Sequence, residues 1–200
     1  MPSFLVGLFE RPLVPVLLLG LAAAALAWAA VSRDDRRFLT AAIAVGGVAA
    51  LLASLAWFVS TPGERAEALV DRFVEAAERA DFEGPDGMFT LLADDASLHF
   101  GKETNPGLAI DRLESALATL GRRHRIRENT VLSRSGETVD GDRGRVSLFC
   151  RTITESSMGG PVLTRWVFLV APNPADGEMR IRQVVFETIG NRPADASVLR

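Results

Sequence analysis

Two uncharged apolar runs, Leu13 to Val31 and Phe38 to Val59, stand side by side near the start of the chain, separated only by Ser32-Arg33-Asp34-Asp35-Arg36-Arg37. A hydrocarbon core of about 30 Å is crossed by about 20 helical residues rising ~1.5 Å each, and both runs reach that length. The first holds nine Leu or Val residues. At roughly 0.3 to 0.6 kcal/mol each on the insertion scale they favour the bilayer by about 4 kcal/mol, with no ionised group opposing. The expectation is a transmembrane helical hairpin over residues 1–60, with spans at about 12–31 and 38–59, and the lipid bilayer as its first partner. Ala27-Trp28-Ala29 fits a small-x-small cleavage site, but the run is long for a signal peptide and a second span follows at once. The segment Met1 to Arg11 is apolar enough to lie along the interface.

Trp28 and Trp57 fall near the ends of their runs, at headgroup level on opposite faces of a bilayer. Ala42, Gly46 and Ala50 recur every fourth residue and offer a small-residue face to the first helix. Arg33, Arg36 and Arg37 in the connector outweigh Arg11 and the terminal amine, so the positive-inside rule makes the connector cytoplasmic. The C-terminal domain of a two-pass membrane protein is then expected on the non-cytoplasmic side, a bias weakened by Arg65 and Arg72 close after the second run.

About 140 residues remain, enough for one domain with its own core. A formal net charge of -3 gives no general attraction to nucleic acid. Cys150 is the only cysteine, which rules out an internal disulfide. Thr61-Pro62-Gly63-Glu64 carries a helix start, with Thr as cap, Pro at the first helical position and Glu to close a capping box. Ala66, Leu69, Val70, Phe73, Val74 and Ala77 then make one apolar stripe. Glu83-Gly84-Pro85-Asp86-Gly87 interrupts it, and Met88, Leu91 and Leu92 suggest a short second helix ending before Asp94-Asp95. Ala96 to Phe100 reads as a strand and Pro106 to Leu120 as a third helix, with Leu108, Leu113, Leu117 and Leu120 buried and Gly121 as its stop. Four strands follow at Arg125–Ser133, Arg143–Thr154, Val162–Val170 and Glu178–Thr188. Ser135-Gly136, Asp140-Gly141, Gly159-Gly160-Pro161 and Pro172 to Gly177 are the turn signals. Their succession implies an antiparallel sheet, and residues 191–200 read as a flexible tail.

This order of elements resembles the nuclear transport factor 2-like superfamily, of the SnoaL-like and ketosteroid isomerase-like kind. The resemblance spans roughly Glu64 to Ile189. It is carried by Phe73-Val74-Glu75-Ala76-Ala77, by Phe89-Thr90-Leu91-Leu92-Ala93-Asp94-Asp95-Ala96-Ser97-Leu98, and by the closing Met179-Arg180-Ile181-Arg182-Gln183-Val184. It implies an α+β domain over 61–190, cone-shaped, with about three helices packed on a curved antiparallel sheet around an apolar pocket. Such domains are often homodimers through the sheet's outer face. The residues that would line the pocket are Phe73, Leu98, Phe100, Trp166, Phe168 and Gln183. Isomerase-like members place a carboxylate on the first strand after the Asp-Asp pair, and a Tyr and a second acid stabilise the enolate. Here that position is Phe100, and the chain has no Tyr at all.

No catalytic residue is therefore assigned. Asp94 and Asp95 fit a turn, and period-two alternation points His99 away from the cavity that Leu98 and Phe100 would face. His99 and His124, the only histidines, belong to no ligand-spaced cluster, so no metal or cofactor is expected. Arg122, Arg123, Arg125 and Arg127 form a basic run suited to solvent or to anionic headgroups. Arg151, Arg165 and Gln183 are polar positions on apolar strands, either pocket-facing or on the outer surface. Three functions stay open: a membrane-anchored, non-catalytic module binding a small apolar ligand or a protein partner; an isomerase, cyclase or hydrolase of SnoaL-like type acting on a hydrophobic molecule; or a dimerisation module.

Overall fold

The computed structural model describes residues 13–58, 60–123, 126–155 and 160–196, the side chains of 13, 55–58 and 117–123 excepted. The expectations placed on Met1 to Arg11, Trp57, Leu117, Leu120, Arg122, Arg123, His124 and Arg125 lie outside the described residues or side chains. The chain divides into two compact units, Met1–Thr61 and Pro62–Arg200.

The first unit is a pair of helices, α1 (Leu13–Arg33) and α2 (Arg36–Phe58), both long and apolar enough to cross a membrane. The connector is shorter than the six polar residues suggest, because both helices run into it and leave only Asp34 and Asp35 between them. Asp34 turns the chain with φ at 48°, and the Asp35 carboxylate accepts the Arg37 N–H at 2.9 Å, capping α2. The small-residue contact lies at Ala42, Gly46 and Ala49; a Cβ at Gly46 would sit 4.0 Å from that of Ala23. Ala50, expected on that face, is exposed. A straight helix turns 100° per residue, so the stripe follows a four-three step where a strict four-residue repeat drifts off the contact. Many of the large apolar side chains point away: Leu21 is 67% exposed and Ile43 68%.

The second unit is α+β. Helix α3 (Pro62–Glu78) begins at the proline after Thr61 and buries Ala66, Leu69, Val70, Phe73 and Ala76 against a seven-stranded sheet. A 3₁₀ turn at Met88–Leu91 leads into β1 (Leu92–Phe100). The short β2 (Leu108–Ala109) and helix α4 (Ile110–Arg123) follow. Then come β3 (Ile126–Val139), β4 (Arg143–Thr154), β5 (Val162–Pro172), β6 (Met179–Ile189) and β7 (Arg192–Pro193). The order across the sheet is β2-β1-β6-β5-β4-β3, with β7 also paired to β6.

Several expectations change. The sheet is mixed, because β1 runs parallel to β6, Leu98 opposite Val184 and Phe100 opposite Phe186. Hairpin turns dictate the directions of β3 to β6, whereas β1 reaches β6 through no turn at all, and nothing in its sequence marks its direction. Asp94-Asp95 lies inside β1, at an irregularity between Leu92 and Ser97, and not in a turn. Leu108 belongs to β2, and α4 starts at Ile110 and runs past Gly121. The stretch from 191, expected as a tail, opens with β7, and Ala194 packs into the core.

Ser135-Gly136 is the clearest departure, since β3 continues through it and pairs Gly136 with Val146. The glycine serves close approach. A Cβ at Gly136 would fall 2.8 Å from Gly63 O, and its N–H donates to the Glu67 carboxylate of α3. Arg134 from the same strand is paired with Asp71 and lies 3.6 Å from Glu67. On β4, a Cβ at Gly144 would lie 2.3 Å from that of Ala66 and 2.8 Å from Pro62 O. The first turn of α3 thus rests on bare backbone, and its Gly63 N–H reaches Thr138 Oγ1 at 3.2 Å. Overpacking such a contact costs about 1 to 3 kcal/mol. Gly144→Ala is therefore expected to lower the unfolding free energy by about 2 kcal/mol, read from the urea midpoint of the chain in mild detergent.

Candidate functional site

Strand β1 sorts its side chains by alternation. Ala96, Leu98 and Phe100 enter the core, which leaves Ser97 and His99 together on the opposite face, two residues apart. Past Phe100 the chain folds back over that face. Asn105 Nδ2 donates to Phe100 O at 2.5 Å and the Asn105 N–H to Lys102 O at 3.1 Å, which delivers the Asn105 carbonyl to 2.6 Å from His99 Nδ1. The other ring nitrogen, Nε2, stands 2.9 Å from Ser97 Oγ. A carbonyl can only accept, so Nδ1 carries the proton; in the neutral ring Nε2 is then a lone pair facing the serine hydroxyl.

The pair opens into a cavity of about 310 Å³ between β1 and β2, lined also by Asp94, Asp95, Gly107, Ala109 and Ile110. Gly107 packs its backbone close against the imidazole, since a Cβ there would lie 2.6 Å from His99 Nε2. Asp95 is held at 2.6 Å by Arg182 of β6, while Asp94 is exposed and has no ion pair among the described residues. Loop 101–107 is tied down further along, where Gln183 Nε2 donates to Glu103 O at 3.3 Å and the Glu103 carboxylate lies 3.5 Å from Arg145.

Of the six residues expected to line a pocket, five share the helix side of the sheet. Phe73, Leu98, Phe100 and Phe168 are buried in one cluster, with Phe73 edge-on to Phe168 at 5.6 Å. Trp166 packs against that cluster, stacked on Phe186 at 4.0 Å, its Nε1 donating to Thr164 Oγ1 at 3.0 Å. Gln183 lies on the other face, level with Ser97 of β1 and Leu169 of β5. None of the six lines the β1–β2 cavity. Arg165 and Arg151 are also on that outer face, Arg165 over the Phe149 ring at 5.7 Å. His99 does face away from the core, but the loop roofs it, so it is half-buried beside Ser97. The Ser-x-His spacing on a strand was the available signal; the carbonyl that orients the ring has no side-chain signature.

Among the described residues no group of three or more His, Cys, Asp or Glu side chains is placed to hold a metal. Cys150 is buried in the core beneath α3. Burial, reinforced by the Glu78 charge and opposed by a hydrogen bond from Asn129, pushes its thiol up to about 11.

No protein-family model matches the chain, and no curated protein does. Among solved structures it is similar to a nuclear transport factor 2-like protein from Anabaena variabilis, at 11% identity over 66% of this chain and 90% of that one, with a TM-score of 0.46. A protein with a cystatin-like fold from Caulobacter vibrioides is similar at 10% identity over 68% and 92%, with a TM-score of 0.49. A ketosteroid isomerase-like protein from Erwinia carotovora atroseptica is similar at 15% over 60% and 89%, with a TM-score of 0.46. At these identities the likeness concerns the fold alone.

The raised thiol gives a direct test. At pH 8 the folded chain should alkylate Cys150 with iodoacetamide at least about 100-fold more slowly than the urea-unfolded chain, because thiolate is the reacting form. The unfolded thiol ionises first, so stability contributed by the neutral thiol should fall as pH rises from the ordinary thiol range toward about 11.

Proposed function

We propose that the chain is a membrane-anchored domain of nuclear transport factor 2-like type that holds a small polar molecule in the cavity between β1 and β2. The cavity carries the proposal: it joins an oriented imidazole, a hydroxyl and two carboxylates in one recess, where a side chain at Gly107 would collide with the imidazole. Anchoring is supported by the apolar exterior of α1 and α2, where only 6% and 11% of the residues of the two spans are buried. The arginines at 33, 36 and 37 favour placing the hairpin turn in the cytoplasm and the domain on the opposite side.

A polar ligand at this edge fits better than an apolar one in the interior, because four of the six residues expected around an interior ligand are packed against one another. Isomerase chemistry has no support, since Phe100 fills the position of the base and no phenol exists to hold an enolate oxygen.

The full chain in detergent, labelled at the Cε1 carbon of its two histidines, reports on the cavity directly. Titration with a library of small polar fragments should give at least one saturable shift of the His99 signal, and Gly107→Val should abolish it. If every fragment leaves His99 unmoved, or if Gly107→Val responds as the unaltered chain does, the cavity is not a binding site.

A further inference from the structure

We propose that Ser97 and His99 are a nucleophile and its general base, and that the ligand class of the cavity is a small ester whose acyl group is taken up by Ser97. This rests on the β1–β2 cavity being the working site. The arrangement supplies a nucleophile, a base within reach of it and a group that orients the base. Ser97 Oγ lies 2.9 Å from His99 Nε2, within the 2.6 to 3.2 Å over which a base can take the proton of an attacking hydroxyl. A third group orients the base, the Asn105 carbonyl at 2.6 Å from Nδ1, and fixes the tautomer that leaves Nε2 free to accept. Both side chains are on a β-strand packed into the sheet, which holds them more rigidly than a loop would. The space in front of them is an open recess at the sheet edge and not core.

The surroundings narrow the substrate. Asp94 and Asp95 line the same recess, among the described residues only Asp95 has a cationic partner, and the resulting negative field favours neutral or cationic molecules over anionic ones. The orienting group is a neutral carbonyl, so the imidazolium formed as Ser97 gives up its proton is stabilised less than it would be by a buried carboxylate. Ester carbonyls, whose alcohol leaves readily, suit such a base; amides do not.

The chemistry balances without any oxidant or cofactor. Ser97 Oγ bonds to the ester carbonyl carbon as its proton passes to His99 Nε2; the carbon–oxygen bond to the alcohol breaks, and the alcohol leaves with that proton. Water then attacks the acyl-Ser97 carbon and gives its proton to Nε2. The bond to Ser97 Oγ breaks, the proton returns to the serine, and a carboxylic acid departs.

The hydrogen bonds that orient the pair also pin loop 101–107, and the experiment must separate the two roles. The full chain in detergent is mixed with p-nitrophenyl acetate, quenched in acid and examined by intact mass and peptide mapping. One acetyl group is expected on Ser97, in a burst that precedes steady release of p-nitrophenol. Ser97→Ala should carry none at that peptide, Ser97→Cys should be acetylated at the new thiol, and His99→Gln should acylate about 100-fold more slowly. Acetylation confined to other residues, or His99→Gln reacting at the unaltered rate, overturns the proposal. In the first case a fragment-induced shift of His99 that persists leaves the cavity standing as a binding site for unreactive ligands, whereas loss of both signals removes the cavity reading as well.

Discussion

The helix pair turns Leu17, Leu18, Leu21, Val31, Ile43 and Leu51 outward, an apolar exterior that is costly to expose to water. Its backbone hydrogen bonds run inside each helix, and among the described residues the small Ala23, Ala42, Gly46 and Ala49 lie at the seam between the two. What remains is apolar surface on all sides, the pattern of a helix whose solvent is hydrocarbon and not of one that packs a stripe against a core. The anchoring proposed for this chain rests on that surface.

Within the domain the corresponding constraint is how near α3 comes to the sheet. Gly136 and Gly144 present bare backbone to its first turn, and Glu67 and Asp71 meet Arg134 at the same seam. That contact commits β3 and β4 to the helix and orders the sheet outward through β5 and β6. The consequence for function appears at the far side. Strand β1 docks parallel to β6, only the two-residue β2 covers its outer edge, and a recess is left where the loop between them crosses. The recess exists because the sheet ends there.

Periodicity made much of this legible. The α3 stripe, the strands from β4 to β6 and the inward set Leu98 and Phe100 follow from the spacing of apolar residues. The failures share a cause, which is that local signals yield to contacts distant in sequence. Gly136 has the composition of a turn, but it is glycine because a helix some seventy residues earlier lies against it. Gly121 has the composition of a stop, yet α4 continues to Arg123. Asp94-Asp95 reads as a loop and is a strand held by Arg182. The candidate site was the hardest to see. Ser97 and His99 share a strand face by simple alternation, but what turns them into a pair facing a cavity is a main-chain carbonyl and a glycine, neither of which advertises itself.

Alkaline carbonate extraction of cell membranes shows whether α1 and α2 are embedded in the bilayer, because it strips peripheral proteins and leaves integral ones in the pellet. The intact 200-residue polypeptide is expected to remain wholly with the membrane and to be released only by detergent. Recovery of the same full-length polypeptide in the carbonate supernatant would contradict the account.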